Sequence, residues 1–167
     1  MVGKDDIQGG GESRSFRLSR LRDLAILTES APGNRVEVDE DATAYYCVGR
    51  ARTDMCARVG IPVSYFWLPE HALRHIQDRH PVITDPLKAA ELILQQPLTV
   101  RRDRIEPVDK VIFYANGDAL REAGLLISQS SPYVSAGVEL RNVSGEILLR
   151  LFHLSPHRSI RGELLWP

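Results

Sequence analysis

The stretch after Pro97 restricts the fold of this chain more than any other, because it alternates between strand-forming segments and short turns. Val, Ile, Phe, Tyr and Leu are dense in five segments, which are PLTVRRDRI, KVIFYA, AGLLISQ, AGVELRNV and GEILLRLFHLS. Asn-Gly-Asp at 116–118 and Val-Ser-Gly at 143–145 supply turn residues. Short links join antiparallel neighbours, whereas parallel neighbours need long crossovers, so we expect mainly antiparallel pairing.

Two proline-bounded segments before Pro97 are predicted to be helices. LPEHALRHIQDRHP has Pro69 in its first turn and Pro81 at its end, and TDPLKAAELILQQP begins with Asp85 as a cap. The apolar spacing in FRLSRLRDLAIL predicts an earlier helix, and AYYCVGRAR is typical of a strand. GIPVSYFWL contains Pro62, so we expect a short extended segment there and not a central strand. The order predicts an α+β fold with N-terminal helices packed on one face of a four- to five-stranded, mainly antiparallel sheet.

The length of 167 residues suits one compact domain with an extension. Residues 1–15 contain a glycine triplet among small polar residues and are predicted to be a flexible tail. Residues 16–59 form an N-terminal extension of a helix and a strand in this interpretation. Residues 60–167 then form the main α+β domain.

Composition argues against several classes of protein. The net charge of −1 does not suit a protein that coats nucleic acid by bulk electrostatics. No apolar run approaches the roughly 20 residues of a membrane span, and the N-terminus lacks the apolar core of a secretory signal. We therefore expect a cytoplasmic protein with no membrane partner. Cys47 and Cys56 have no second pair nearby, which indicates free thiols and not a zinc site or disulfide framework.

Three of the five histidines fall within HALRHIQDRH, which raises the question of a metal site. His71 and His75 have the spacing of a two-histidine ligand pair, but alanine follows the first where a metalloprotease needs glutamate. Arg79 continues the same helical stripe, where its charge would oppose a cation. The sequence therefore predicts no metal and no cofactor.

The same helix can instead serve acid–base chemistry on a phosphate. His75, Arg79 and His80 bring two groups that titrate near neutrality and one permanent cation to a helix end. Arginine holds phosphate oxygens and imidazole moves protons. The alternative is an amphipathic surface helix in which His80 is a satisfied core imidazole.

Two of the predicted strands offer partners for that chemistry. Alternation places Glu139 and Arg141 on one face of their strand, and Arg150 on the open face of the next. His153 falls on the apolar, buried side of that second strand, together with Ser155. A glutamate flanked by arginines can act as general base for a ribose 2′-hydroxyl while the arginines stabilise the phosphorane. The alternative is a solvated sheet face with cross-strand ion pairs.

Basic residues also cluster where they could grip a phosphate backbone. The candidates for RNA binding are Arg101, Arg102, Arg150 and Arg158. Small clusters of this kind are equally typical of ordinary surface charge.

The stretch LPEHALRHIQDRHP…DPLKAAELILQQPLTV, followed by strands, resembles one group of known proteins. It is similar to the phage-associated branch of the barnase, EndoU, colicin-tRNase and RelE superfamily of ribonuclease-like domains. In that branch a helix with a histidine and then Arg-His-Pro precede a second helix ending at proline and a sheet. The matching positions here are His75, Arg79, His80, Pro81 and Pro97, within about residues 60–156.

The resemblance implies a metal-independent endoribonuclease with a toxin-like role, so that residues 60–167 would be a ribonuclease-like domain. Its substrate would be RNA, with tRNA among the candidates, and a cognate inhibitor or immunity protein would be a further partner. His75, Arg79 and His80 follow from the motif, whereas Glu139, Arg141 and His153 are chosen by their chemistry. A catalytically inactive RNA- or protein-binding module of phage or mobile-element origin remains the alternative. A phosphate-directed transferase, such as an ADP-ribosyltransferase, is a third hypothesis without a clear nucleotide motif.

Overall fold

The computed structural model describes residues 15–167, in which nine strands form one mixed sheet and five helices pack around it. The strands are β1 (Ser15–Leu18), β2 (Arg35–Val38), β3 (Thr43–Arg50), β4 (Tyr65–Pro69), β5 (Thr99–Arg102), β6 (Lys110–Asn116), β7 (Tyr133–Val143), β8 (Glu146–His157) and β9 (Leu164–Trp166). The helices are α1 (Leu21–Ala25), α2 (Thr53–Val59), α3 (Glu70–Arg79), α4 (Pro86–Gln95) and α5 (Gly117–Glu122). The strand order across the sheet is β1-β2-β3-β4-β8-β7-β6-β5-β9.

The prediction of a four- to five-stranded, mainly antiparallel sheet with N-terminal helices on one face is wrong. Strands β1 to β4 extend the sheet beyond β8, β9 adds to its other edge, and the pairs β1–β2 and β4–β8 are parallel. β4 is a central strand because Phe66, Trp67 and Leu68 are buried on both sheet faces, as interior strands of mixed sheets require. Pro62 lies before β4 and removes no hydrogen bond from it.

Two further local predictions are wrong. The segment 16–27 is not one helix, since Phe16 and Leu18 belong to β1 and only Leu21–Ala25 is helical. AGLLISQ forms no strand of the sheet apart from a single bridge of Leu126 to Ile83. The chain turns into α5 before it, because the Asn116 side chain accepts a hydrogen bond from the Asp118 backbone N–H at 2.9 Å and caps that helix.

The helix pair and the last hairpin are confirmed. α3 occupies Glu70–Arg79, and α4 begins at Pro86, where the Asp85 carboxylate accepts from the Lys88 backbone N–H at 3.3 Å. The tail predicted for residues 1–15 lies outside the described residues, except Ser15. The sheet runs across residue 60, because β3 pairs with β2 on one side and β4 on the other.

The two faces of the sheet are covered unequally. Helices α2 to α5 pack on one face and form the larger core, whereas α1 covers the other face over β2 to β4 and the beginning of β8. No helix in residues 15–167 forms a core over the rest of that second face, which we call the open face. The residues that face this side are Thr99, Arg101, Lys110, Ile112, Tyr114, Ser135, Gly137, Glu139, Arg150, His153, Ser155 and His157. None of the helices in this range is long and apolar enough to cross a bilayer.

Candidate functional site

A β-bulge in β8 decides which side chains reach the open face. Gly137 pairs with His153 and Val138 pairs with Leu151, so Phe152 is an extra residue on this strand. Val138 and Leu151 both point into the larger core, and therefore His153 points to the opposite side. The expectation that His153 and Ser155 lie on the buried face is wrong, because the bulge reverses the alternation after Leu151.

Beyond the bulge, two serine–histidine pairs lie side by side on the open face. Ser135 Oγ and His153 Nε2 share a hydrogen bond of 3.1 Å, and Ser155 Oγ and His157 Nε2 share one of 3.0 Å. The two imidazole centroids are 6.4 Å apart. Ser135 is completely buried, and its pair with His153 is therefore held in place; we call it the inner pair. The pair of Ser155 and His157, the outer pair, is only partly buried.

Both imidazoles are shifted toward the neutral form. Burial lowers the pKa of His153 to about 4, so this ring is neutral at neutral pH. Burial also lowers the pKa of His157, and the nearby charges of His80 and Arg161 lower it further. The outer ring is therefore a neutral imidazole beside a cationic side chain.

Helix α3 supplies the third imidazole. His80 follows the last residue of α3 and is half-buried, and its pKa is lowered by burial and by the charges of His75 and Arg79. Its own charge lowers the pKa of His153 and of His157, which means that it lies within electrostatic range of both. We call His80, His153 and His157 the histidine cluster.

The other predicted residues of α3 do not join the cluster directly. His75 and Arg79 are exposed, and neither side chain makes a hydrogen bond or ion pair within the described part of the chain. His71 lies 3.3 Å from Arg150, measured from Nε2 to Nη2. Because arginine only donates, this nitrogen of His71 accepts.

Glu139, Arg141 and Arg150 do come together, but in a separate hollow. They line a depression of about 460 Å³ whose wall also carries Glu106 and Asp109. Glu139 lies directly across from Arg150, with 3.5 Å between Oε1 and Nη1. Glu139 and Ser135 are four residues apart on β7, a separation of roughly 13 Å along an extended strand. The predicted site residues therefore divide into two groups at different places on the open face.

A larger cleft adjoins the histidine cluster. Its volume is about 480 Å³, and its lining is formed by Arg102, Asp103, Arg104, Ile105, Ile112, Tyr114 and Arg161. The ring of Tyr114 lies 5.8 Å from that of His157, centroid to centroid, in an edge-to-face arrangement. The cleft therefore lies beside the outer imidazole on the open face.

The candidates for RNA binding have different environments. Arg101 donates to the carbonyl of Gly162 at 3.1 Å and so holds the chain that leads into β9. Arg102 forms an ion pair with Glu163 at 3.4 Å and also lines the cleft. Arg150 belongs to the Glu139 hollow. Arg158 is exposed, and its side chain has no ion pair in residues 15–167.

Several residues of this region were missed by sequence reasoning. The residues not chosen are His157, Tyr114, Asp103 and Arg161. Without a bulge, the alternation of β8 would turn its later side chains away from this region. The signal that could have revealed them is Gly137, whose missing side chain leaves room for a ring on the neighbouring strand. Among residues 15–167, no group of three or more His, Cys, Asp or Glu side chains is arranged to hold a metal ion.

Comparisons of the chain with models of protein families, with curated proteins and with solved structures found no match.

Proposed function

We propose that this chain is a metal-independent endoribonuclease that cleaves RNA by attack of a ribose 2′-hydroxyl on the adjacent phosphate. The observation that supports the proposal is the histidine cluster: the rings of His153 and His157 lie 6.4 Å apart on the open face, and the charge of His80, just beyond the end of α3, lowers the pKa of both. Two imidazoles beside one phosphate can divide the proton transfers of this reaction between them.

In this mechanism His157 is the general base and His80 is the general acid. The neutral ring of His157 removes the proton from the 2′-hydroxyl, and the resulting oxygen attacks phosphorus. The bond from phosphorus to the 5′-oxygen then breaks, and protonated His80 donates a proton to that oxygen. The products are a 2′,3′-cyclic phosphate and a 5′-hydroxyl, with no net change in protons.

Two further residues assist without transferring protons. Arg161 is exposed beside the cleft, and its charge is felt by His157, so it can stabilise the negative charge that develops on the phosphorane. His153 is a positioning residue, because its ring is fixed by Ser135 and packs against the outer imidazole. Electrostatic stabilisation of this kind and two-sided proton transfer need no bound cation.

The resemblance of the α3–α4 segment to toxin-like ribonucleases supports a biological role of the same kind. RNA is then the substrate, with tRNA among the candidates, and the site of action is the cytoplasm. A protein with such an activity would need a cognate inhibitor in the cell that makes it, which would be its second partner.

A binding module without turnover is the second candidate. It is favoured by the Glu139 hollow, in which the carboxylate already forms an ion pair with the guanidinium of Arg150 at 3.5 Å. A surface of that kind can recognise a partner without performing chemistry.

The test is cleavage of a fluorescent single-stranded RNA by the purified full chain, in the presence and absence of EDTA. We expect cleavage that EDTA does not reduce, products that end in a cyclic phosphate, and a loss of roughly a hundredfold or more in His157→Ala and in His80→Ala. Gln77→Ala is the matched control, because Gln77 is an exposed residue of α3 outside the cluster.

Two results would overturn the proposal. One is cleavage that persists in the His80→Ala and His157→Ala double variant, and the other is tight RNA binding with no turnover by the wild type. The second result would support the binding module instead.

A further inference from the structure

A separate cleft lies at the other end of the sheet from the histidine cluster. Its volume is about 300 Å³, and it is formed where the end of β3, the segment before β4 and the turn between β7 and β8 meet the chain after α1. Glu146 at the start of β8 lines it, whereas His157 ends that strand, roughly 35 Å further along. We call it the Arg50 cleft, and its apolar lining includes Ile26, Leu27, Pro62, Val63, Tyr65 and Ile147.

Hydrogen bonds between the segments hold the walls of the Arg50 cleft in place. The Tyr65 hydroxyl donates to the carbonyl of Thr28 at 3.5 Å and so joins β4 to the chain after α1. The backbone N–H of Ala51 donates to the carbonyl of Ser64 at 2.8 Å and joins the end of β3 to the segment before β4. The cleft is therefore formed before a ligand enters it, as small-molecule sites usually are.

Apolar side chains in the Arg50 cleft are open to solvent. Ile26 is 43% exposed and Val63 is 44% exposed, and Leu27, Tyr65 and Ile147 are partly buried. A ligand in the cleft covers this surface, and its removal from water favours binding. The apolar part of a ligand therefore has a place to lie.

One cation borders this apolar surface. Arg50 is exposed, and its guanidinium forms no ion pair or hydrogen bond within residues 15–167. It lies over the ring of Tyr65, 5.9 Å from Cζ to the ring centroid, which favours a position beside the apolar lining. The other charged residue of the cleft, Glu146, is already paired with Arg22 at 3.3 Å. The charge that remains for a ligand is therefore positive.

We propose that the Arg50 cleft binds a small carboxylic acid whose carboxylate contacts Arg50 and whose apolar part lies against Ile26 and Val63. A guanidinium presents two parallel N–H donors to the two oxygens of a carboxylate. A volume of about 300 Å³ is at the lower end of the range for small-molecule sites, so the ligand is a small molecule. This proposal does not depend on ribonuclease activity, because the cleft shares no residue with the histidine cluster.

The experiment titrates octanoate into the ¹⁵N-labelled full chain and follows the backbone amide signals by NMR. We expect saturable shifts at residues of the Arg50 cleft, with a dissociation constant of about 1 mM or tighter. Octanamide has the same chain without the charge and should bind roughly tenfold or more weakly, because it lacks the charge-assisted hydrogen bonds.

Three variants locate the contacts. Arg50→Gln should weaken octanoate binding roughly tenfold or more, and Val63→Ser should weaken it because apolar contact is lost. Arg58→Gln is the matched control, since Arg58 is an exposed arginine of α2 outside the cleft and has no ion pair in the described part of the chain. Amide signals away from the cleft show that each variant is folded.

The outcomes decide the proposal whether or not RNA is cleaved. Weaker octanoate binding in Arg50→Gln and in Val63→Ser, but not in Arg58→Gln, would support it. The proposal would be overturned by the absence of saturable shifts up to about 10 mM octanoate, by equal affinities for octanoate and octanamide, or by unchanged affinity in Arg50→Gln. Binding of a peptide with a free C-terminal leucine, but not of octanoate, would also overturn it and would assign the cleft to a protein partner.

Discussion

The imidazole of His153 occupies the space where a side chain at position 137 would lie. A Cβ atom on Gly137 would be 2.4 Å from Cε1 and from Nδ1 of His153, and 2.6 Å from Cζ of Phe152. Contacts this short do not occur between real Cβ atoms and their neighbours. The glycine on β7 therefore leaves the space in which the ring of His153 lies and reaches Ser135.

We expect Gly137→Ala to destabilise the protein by about 1–3 kcal/mol, the usual cost of overpacking. The free energy of unfolding in urea measures this. Combining it with His153→Ala removes one of the two rings that the new methyl group meets, so the two substitutions should couple favourably by about 1 kcal/mol, while the contact with Phe152 remains. Additive effects of the two substitutions would show that the ring of His153 is not what excludes the side chain.

The low pKa of His153 predicts acid-sensitive folding. The pKa of His153 is about 4 in the folded chain, whereas the ordinary value of 6.5 applies to the unfolded chain. Between pH 4 and pH 6.5 the unfolded chain therefore binds a proton at this imidazole that the folded chain does not. Stability from this group is complete above pH 6.5 and is lost as pH falls toward 4, by at most about 3 kcal/mol. His153→Gln can keep a hydrogen bond to Ser135 without titrating, so the dependence of its unfolding free energy on pH should be shallower. Equal slopes for the variant and the wild type would contradict the buried neutral imidazole.

Local signals explain which parts of the fold could be predicted from the sequence. Prolines bound α3 and α4, and both helices were predicted because a proline or a cap acts within a few residues. The position of β4 in the centre of the sheet could not be predicted, since its partner β8 lies some 80 residues further along the chain. Pro62 was the reason for predicting no central strand here, but a proline restricts only the residues next to it, and β4 begins at Tyr65.

The candidate site shows the same limit at the scale of one residue. Glu139 and Arg150 were predicted to lie together from alternation alone, and they pair across β7 and β8. Beyond Leu151 the alternation fails because Phe152 is bulged, and a one-residue shift moves every later side chain to the other face. His157 was missed for that reason, although it is the residue to which the proposed mechanism gives the first proton transfer.

The proposed mechanism predicts that RNA cleavage is fastest in mildly acidic solution. The base must be neutral and the acid protonated, and the pKa values of His157 and His80 are both lowered from 6.5, by burial first and then by nearby positive charges. Around His157 these charges are His80 and Arg161. Above pH 6.5 the acid has lost its proton, so kcat/KM should fall there. A profile of kcat/KM between pH 4.5 and 9 measures this, and a maximum above pH 7 would contradict the assigned roles.

The pair of Glu139 and Arg150 is predicted to stabilise the sheet. Their side chains are only 27% and 19% exposed, so water solvates each charge poorly and each stabilises the other. Arg150 also donates a hydrogen bond to His71. Arg150→Met leaves a partly buried carboxylate without its partner and should lower the free energy of unfolding by about 1–3 kcal/mol. Adding Glu139→Gln removes that uncompensated charge and should recover part of the loss, as urea unfolding of the two single variants and the double variant would show. If Arg150→Met were instead neutral, the guanidinium would contribute nothing to folding. The Nε–H of Arg150, which is buried and has no hydrogen-bond partner in residues 15–167, would then be better explained by a ligand.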